Sequence, residues 1–398
     1  PYTTLFRSHI SAMTTSAISC YAEQMGILSS AQEGFRAHRS THRQILNLIH
    51  DIEDAALYKQ DLYAAFFDFK SAFNMVDHDK LLCIMYDLGF PTDAIDAVKS
   101  IYEAATTHIT HNNTTGPGIP IGRGTKQGDT LSPLLFLIFI EPLHRWLKAG
   151  GRGYRQGCLK AHPDLLDKLN TGSLGYADDT TALTRNPQDL QIQCTKVYTY
   201  SQWAGIPLNY TKCEVTGILH HTYPRDPTNQ ALLKAQLLNK IKMGEDTATY
   251  TPPTTPCKYL GMHISMTLDW QPQLKHTLQM IQDKGDHIIR RAIGSGASPR
   301  QGLHLIQTCI KPAVAYTMVA APYTEQDVAK MDRAIASIAK KCCCLPMGFP
   351  NTAIHNTTAE AGLGISSLMA DFTQVTVATL TRALNDTDKL GQITQALL

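Results

Sequence analysis

The sequence predicts an α+β fold, and three observations carry that expectation. Tyr176-Ala177-Asp178-Asp179 sets two adjacent carboxylates inside a small and apolar run from Ser173 to Leu183, the pattern of two short antiparallel strands joined by a tight turn. Leu62 to Phe73 is an apolar, aromatic run of strand character with one carboxylate, Asp68, inside it. From Gln271 onward apolar residues recur at helical spacing, as Leu274, Leu278 and Ile281 and later Val328, Met331, Ile335 and Ile338.

At 398 residues the chain exceeds what one core holds, so two or three subdomains are expected. A formal net charge of +2 announces no nucleic-acid partner, and any such claim must rest on local charge. The ten cysteines show no CxxC spacing, which suits a reduced, intracellular chain. Cys342, Cys343 and Cys344 with His355 lack a second ligand pair, so a helix end outweighs a metal site there. The longest apolar stretch, Leu134 to Ile140, stops at Glu141 and Pro142, short of the roughly 20 residues of a membrane span. A soluble protein without membrane contact is expected. Residues 1–8 read as the translated end of a sequencing adapter and stand outside fold reasoning, with the natural N-terminus expected upstream.

Taken in order, Thr41 with Gln44 has capping-box spacing and starts a helix bearing Ile45, Leu48, Ile49 and Ile52. Arg36, Arg39 and Arg43 concentrate positive charge at its entry. Asp68 is the odd residue of the next strand, because a charge in a buried strand is costly unless paired, bound to a cation or placed at the strand's open end. Asp77 or Asp79 caps a helix closed by Gly89, and Thr92 or Asp93 caps another with Ile95, Val98, Ile101 and Tyr102 on its apolar face. Asn112 to Gly118 reads as a hairpin tip. Gly122 to Asp129 is a flexible basic loop containing Lys126, Gln127 and Gly128, of the kind that approaches a phosphate or base with backbone atoms. Ser132-Pro133 then predicts a helix start, and the helix to Leu147 should be buried and kinked at Pro142. Gly150 to Asn170 reads as an insertion.

Pro187 to Ala204 predicts a helix packed behind the sheet, followed by a Gly205 to Lys212 turn into another strand. Lys258-Tyr259-Leu260-Gly261 sits between short apolar runs after Pro252, Pro253 and Pro256. Between Gln271 and Lys341, ten basic residues face five acidic ones, an excess suited to a helical clamp on a phosphate backbone and equally to a solvated helical face.

Asp68 and Asp178 lie far apart in sequence and can share a site only through tertiary folding. Clustered carboxylates repel unless divalent cations lie between them, and Mg²⁺ held by few carboxylates plus substrate phosphates is the usual solution. Phosphoryl transfer by two metals is the chemistry this serves.

With these signatures the chain resembles the reverse transcriptases of non-LTR (LINE-type) retrotransposons from about Gly34 to Leu368. The ordered matches are Gly34-Phe35-Arg36 with Ser40-Thr41, Phe67 to Phe73, Lys126 to Asp129 with Leu131-Ser132-Pro133, Tyr176 to Asp179, Asn209 with Lys212, and Lys258 to Gly261. Gly362 to Ile365 resembles the segment that follows the thumb in such elements.

The resemblance implies an α+β right-hand polymerase: partial fingers over residues 9–60, an antiparallel-sheet palm over 61–265 with a fingers insertion at about 89–122, a helical thumb over 266–345 and a post-thumb segment over 346–398. It implies an RNA-directed DNA polymerase with an RNA template, a DNA primer and deoxynucleoside triphosphates as partners, and two Mg²⁺ ions, for which Mn²⁺ can stand in. Asp68 and Asp178 are then direct ligands, aided by the Phe69 carbonyl, with Asp179 adjacent and Lys212 as proton donor to the leaving group. Phe73 is placed as a steric gate against the 2′-hydroxyl. Lys126, Gln127 and Gly128 border the incoming nucleotide; Tyr176, Arg36, Arg39 and Lys258, Tyr259, Leu260 and Gly261 face primer or template.

Asn74 and Thr130 stand where many relatives carry Asp and Pro. Nothing before Gly34 resembles the fingers stretch that grips the triphosphate, so the expectation is an N-terminally truncated domain, acting in the nucleus or in a cytoplasmic ribonucleoprotein. The alternatives are an intron- or retron-type reverse transcriptase, an RNA-directed RNA polymerase, which Phe73 opposes, or a nucleic-acid-binding remnant.

Overall fold

In the computed structural model, which describes residues 2–397 except 104, 113, 127, 158–169, 221–230, 236 and 238–240, the chain divides into two compact units between Pro253 and Thr254. The first unit is built on a sheet of β1 (Leu62–Phe67), β2 (Ser173–Tyr176), β3 (Asp179–Thr184), β4 (Glu214–Ile218) and β5 (Thr249–Tyr250) in the order β5-β4-β1-β3-β2. Every neighbouring pair is antiparallel, as expected, except that the two-residue edge strand β5 runs parallel to β4.

The apolar run of β1 is flanked by β3 and β4, which satisfies its backbone on both edges. Ala65 lies opposite both Ala182 and Val215, and these residues join Tyr63 and Phe67 in the core. Of the helices α1 (Tyr2–Gln24), α2 (Thr41–Leu57), α3 (His78–Asp87), α4 (Thr92–Glu103), α5 (Leu131–Lys148) and α6 (Pro187–Ala204), α2, α5 and α6 pack on the sheet, while α1 and α3 pack on α4 and α5. The helix α5 is apolar nearly all round, and it is accordingly enclosed by α1, α3, α6 and β2 with Leu135 to Ile140 fully buried. Residues 2–8, expected to stand outside the fold, are the first turns of α1.

Helix starts show where local signals were overruled. The N-cap of α2 is Ser40, one residue before the expected Thr41, and Gln44 is buried with its amide on the Gly175 and Ala31 carbonyls rather than in a capping box. The helix α5 begins at Leu131, before the predicted Ser132 cap. There the Asp129 carboxylate accepts the Leu131 N–H, and the Ser132 hydroxyl turns back to the Lys126 carbonyl. It runs on through Pro142 to Lys148. Asp77 caps α3 as expected. Part of the Gly150 to Asn170 insertion, residues 158–169, lies outside the described residues.

The second unit opens with the hairpin β6 (Cys257–Tyr259) and β7 (Met262–Ile264), whose turn residues Leu260 and Gly261 have φ of 46° and 81°. Positive φ at both positions is the two-residue turn that matches strand twist, and the Tyr316 hydroxyl donates to the Leu260 carbonyl to hold it. The boundary between units falls before this hairpin. Behind it α7 (Gln271–His287) packs on α8 (Glu325–Cys342), and α8 on α9 (Leu368–Leu384). Cys342 is buried at the end of α8, while His355 pairs with Asp332 at 3.1 Å, so the cysteine triplet is a helix end. Among the described residues no helix is long and apolar enough to cross a membrane.

Candidate active site

The turn that joins β2 to β3 is the tip of a two-residue hairpin. Tyr176 pairs with Asp179, so Ala177 and Asp178 are the turn residues, and Ala177 takes φ of 55°. Beside it, Phe67 of β1 lies opposite Thr180 of β3. Continuing this register by one residue brings Asp68 opposite Asp179, on the same face of the sheet because successive side chains alternate. Three carboxylates from two distant stretches therefore meet at one end of the sheet. Asp68 is also where β1 leaves the ladder, which answers the cost of a charge within an apolar run.

Burial and like charge act together there. Burial raises the Asp178 carboxyl, and Asp68 adds repulsion. Asp179 has solvent access on one side, yet the surrounding protein displaces enough water to push its carboxyl up to about 6, with Asp178 and then Asp68 adding to it. The residue expected to be the less engaged of the pair thus carries the stronger perturbation.

The return segment from α6 is stitched to the end of β1. The Lys70 N–H donates to the Pro207 carbonyl at 2.8 Å, the Asn209 N–H to the Asp68 carbonyl at 2.8 Å, and Phe69 bridges Leu208. This places the exposed Lys212 with its Nζ 4.0 Å from Asp68 Oδ2. The sequence-predicted set Asp68, Phe69, Asp178, Asp179 and Lys212 is thereby brought together.

A row of rings borders the acids. Phe73 stacks on Phe136 with centroids 4.3 Å apart, meets Phe35 edge-on at 6.3 Å, and Phe35 in turn lies 6.3 Å from Tyr176. Phe35 is 56% exposed, an unusual state for a large apolar ring, and sequence reasoning used it only as part of a signature. Lys126 and Gly128 are exposed in the loop before α5, with Gly128 at φ of 81°, while Gln127 lies outside the described residues. Lys258, Tyr259, Leu260 and Gly261 form the hairpin of the second unit, Lys258 exposed and Tyr259 buried.

Arg36 and Arg39, expected to face primer or template, are instead spent inside the first unit. Arg36 donates to both carboxylate oxygens of Glu23 at 2.7 Å and to the carbonyls of Ser29 and Gln32, with its side chain only 5% exposed. Arg39 and Arg43 pair with the buried Glu33 at 2.7 and 3.0 Å. A basic run beside a helix start can be an ion-pair buttress, and the acids that use it, exposed Glu23 and buried Glu33, are single residues without periodicity.

Residues 6–264 match the family described as Reverse transcriptase (RNA-dependent DNA polymerase). Of curated proteins, the Retrovirus-related Pol polyprotein from type-1 retrotransposable element R2 of Nasonia vitripennis is 25% identical over 342 residues, 85% of this chain and 31% of that one. The polyprotein from type-2 retrotransposable element R2DM of Drosophila melanogaster is 24% identical, over 77% of this chain and 27% of that one. The chain thus spans about a third of the length of these curated relatives. Of solved structures, telomerase from Candida tropicalis in complex with a TWJ fragment of telomeric RNA aligns with a TM-score of 0.46 and 12% identity, over 100% of this chain and 58% of that chain.

Proposed function

The chain belongs to the reverse transcriptase (RNA-dependent DNA polymerase) family, with non-LTR retrotransposon polyproteins as its relatives, and from that premise we propose that it extends a DNA primer on an RNA template. The observation that supports this most is the meeting of Asp68, Asp178 and Asp179 at one end of the sheet.

The donor set suits Mg²⁺. Carboxylate oxygens are its preferred ligands, and burial with mutual repulsion gives Asp178 and Asp179 a cost that a divalent cation relieves. Among the described residues no three His, Cys, Asp or Glu side chains form a ready metal cage, so the assignment rests on the strand register that brings Asp68 beside Asp179 and on the burial of Asp178 and Asp179. Two such ions, when bound, supply a lowered pKa for the primer 3′-hydroxyl and charge neutralisation at the departing pyrophosphate.

Asp68 and Asp178 are the residues we assign to hold them, with the Phe69 carbonyl and Asp179 assisting. Lys212, exposed beside Asp68, is the residue we assign to give a proton to the leaving pyrophosphate. Phe73 has its ring fixed by Phe136 and is assigned to close the space a 2′-hydroxyl would need. Lys126, Gln127 and Gly128 border the nucleotide in this reading, and Tyr176 lies by the primer end. The hairpin Lys258 to Gly261 and the exposed cations of the helical unit serve primer and template, through contacts that weaken with salt.

Primer extension on an RNA template with Mg²⁺ tests the proposal, comparing the natural chain with Asp178→Ala. Extension by the first and its loss by several orders of magnitude in the second is the expected result. RNA binding by both with extension by neither would leave a nucleic-acid-binding protein and no polymerase.

A further inference from the structure

Gln32 is fully buried, and its side-chain amide closes on the backbone of one residue 145 positions away. Its Oε1 accepts the Ala177 N–H at 2.8 Å, and its Nε2 donates to the Ala177 carbonyl at 3.1 Å. Ala177 is the left-handed residue of the acidic turn. That conformation is unfavourable for a residue with a Cβ and persists where surrounding contacts over-determine it. In a two-residue hairpin the first turn residue has no cross-strand partner, so its N–H and carbonyl point out of the ladder. The Gln32 amide takes both. It thereby fixes the peptide planes on either side of Ala177, including the one from which Asp178 hangs.

The orientation of the amide is forced. Gln32 Oε1 also accepts the Gly34 N–H at 2.8 Å, so a flipped amide would set its NH₂ against two N–H donors. Approach is built in as well. A Cβ on Gly34 would lie 2.5 Å from the Ala177 nitrogen, and the segment is docked by hydrogen bonds from Gly175 to Ala31 and from Glu33 to Gly175. Arg36, holding the Ser29 and Gln32 carbonyls, keeps the segment folded from its outer side.

We propose that Gln32 is a positioning residue of the active site: through Ala177 it sets where the Asp178 carboxylate points, and so how well the site holds its divalent cation. The proposal rests on the polymerase reading above. A satisfied core glutamine would matter to stability alone, whereas a residue that aims a ligand changes turnover and metal demand.

Gln32→Ala, and the near-isosteric Gln32→Met should the first not fold, are compared with the natural chain in primer extension. We expect kcat to fall roughly ten- to hundredfold, the usual cost of losing the outer support of a metal ligand. The KM for primer–template should change little, and half-maximal activity should need more Mg²⁺. Adding Ala177→Gly to Gln32→Ala should recover part of kcat, because glycine adopts positive φ without a steric penalty. A folded Gln32→Ala protein with unchanged kcat and Mg²⁺ demand overturns the proposal, as does a loss that Ala177→Gly leaves untouched. Amide hydrogen exchange of the natural chain judges the clamp independently of activity. The Ala177 N–H should exchange slowly, and exchange at the rate of a free turn overturns the clamp whether or not the variants fold. Absence of extension by the natural chain would count against the polymerase reading, leaving the exchange result to decide this one.

Discussion

Phe73 illustrates what one side chain can be asked to do. Its ring is held against Phe136, so it has little freedom to swing aside for a bulkier sugar. Replacing it with valine opens that space, and the ratio of ribonucleotide to deoxynucleotide incorporation should rise by about tenfold or more, the scale on which a small steric difference discriminates. Single-nucleotide extension with each nucleotide class measures this, and an unchanged ratio would return Phe73 to the core as a packing residue. At this scale the acids were legible, because Asp68 and Asp178 are charges in apolar surroundings and demand an explanation. Gln32 was not. In Ala31-Gln32-Glu33-Gly34 it looks like an ordinary polar loop residue, and only the folded chain shows that its partner is a turn far along the sequence. Arg36 and Arg39 misled for the same reason, since nothing local marks Glu23 and Glu33 as their partners.

The hairpin β2–β3 depends on what lies beneath it. A Cβ on Gly175 would stand 2.5 Å from His144 Cε1, and that ring is enclosed in α5 and bonded to the Ser173 hydroxyl at 3.0 Å, so it cannot yield cheaply. Gly175→Ala should therefore cost about 1 to 3 kcal/mol, the range for overpacking a filled core, and should lower extension by displacing the acidic tip. Urea unfolding supplies the first number and primer extension the second; a variant as stable as the natural chain would mean that the ring gives way. Elements were more legible than their ends. Helix α6 runs from Pro187 to Ala204 as its periodicity and flanking Gly205 predict. The starts of α2 and α5 moved because Gln44 and Ser132, which look like capping residues, are drawn elsewhere, Gln44 into a tertiary hydrogen bond with Gly175 and Ser132 back to the Lys126 carbonyl in the preceding loop. Strand β5 was missed, being two residues long after a stretch without alternation.

Across the molecule, two titratable groups pull stability in opposite directions with pH. Burial depresses His144 from 6.5 to about 4, so it stays neutral in the folded chain. Its contribution is fully present above pH 6.5 and is lost as pH falls towards 4, on the order of 3 kcal/mol in total. Asp179 runs the other way. Raised from 3.8 to about 6, it favours the folded state in acid and withdraws that support as pH rises through 6. Thermal melting in EDTA between pH 7 and pH 4.5 should show His144→Gln losing less stability than the natural chain; parallel curves would mean that His144 is not what acid attacks. The basic excess of the helical unit was legible from composition, but its use was only partly so. Lys311 and Lys340 are buried and bond to the carbonyls of Ser366 and Met347, which leaves fewer cations for a phosphate backbone than the count suggests.

The Gln32–Ala177 contact also says something about how the molecule comes into being. A two-residue hairpin closes locally and early, yet the shape of this tip waits on a segment made 145 residues before it. Contacts of such separation are costly to close and form slowly. Strands β2 and β3 can therefore pair before their carboxylates are aimed, and the final set of this tip becomes a report that two distant segments of the first unit have found each other.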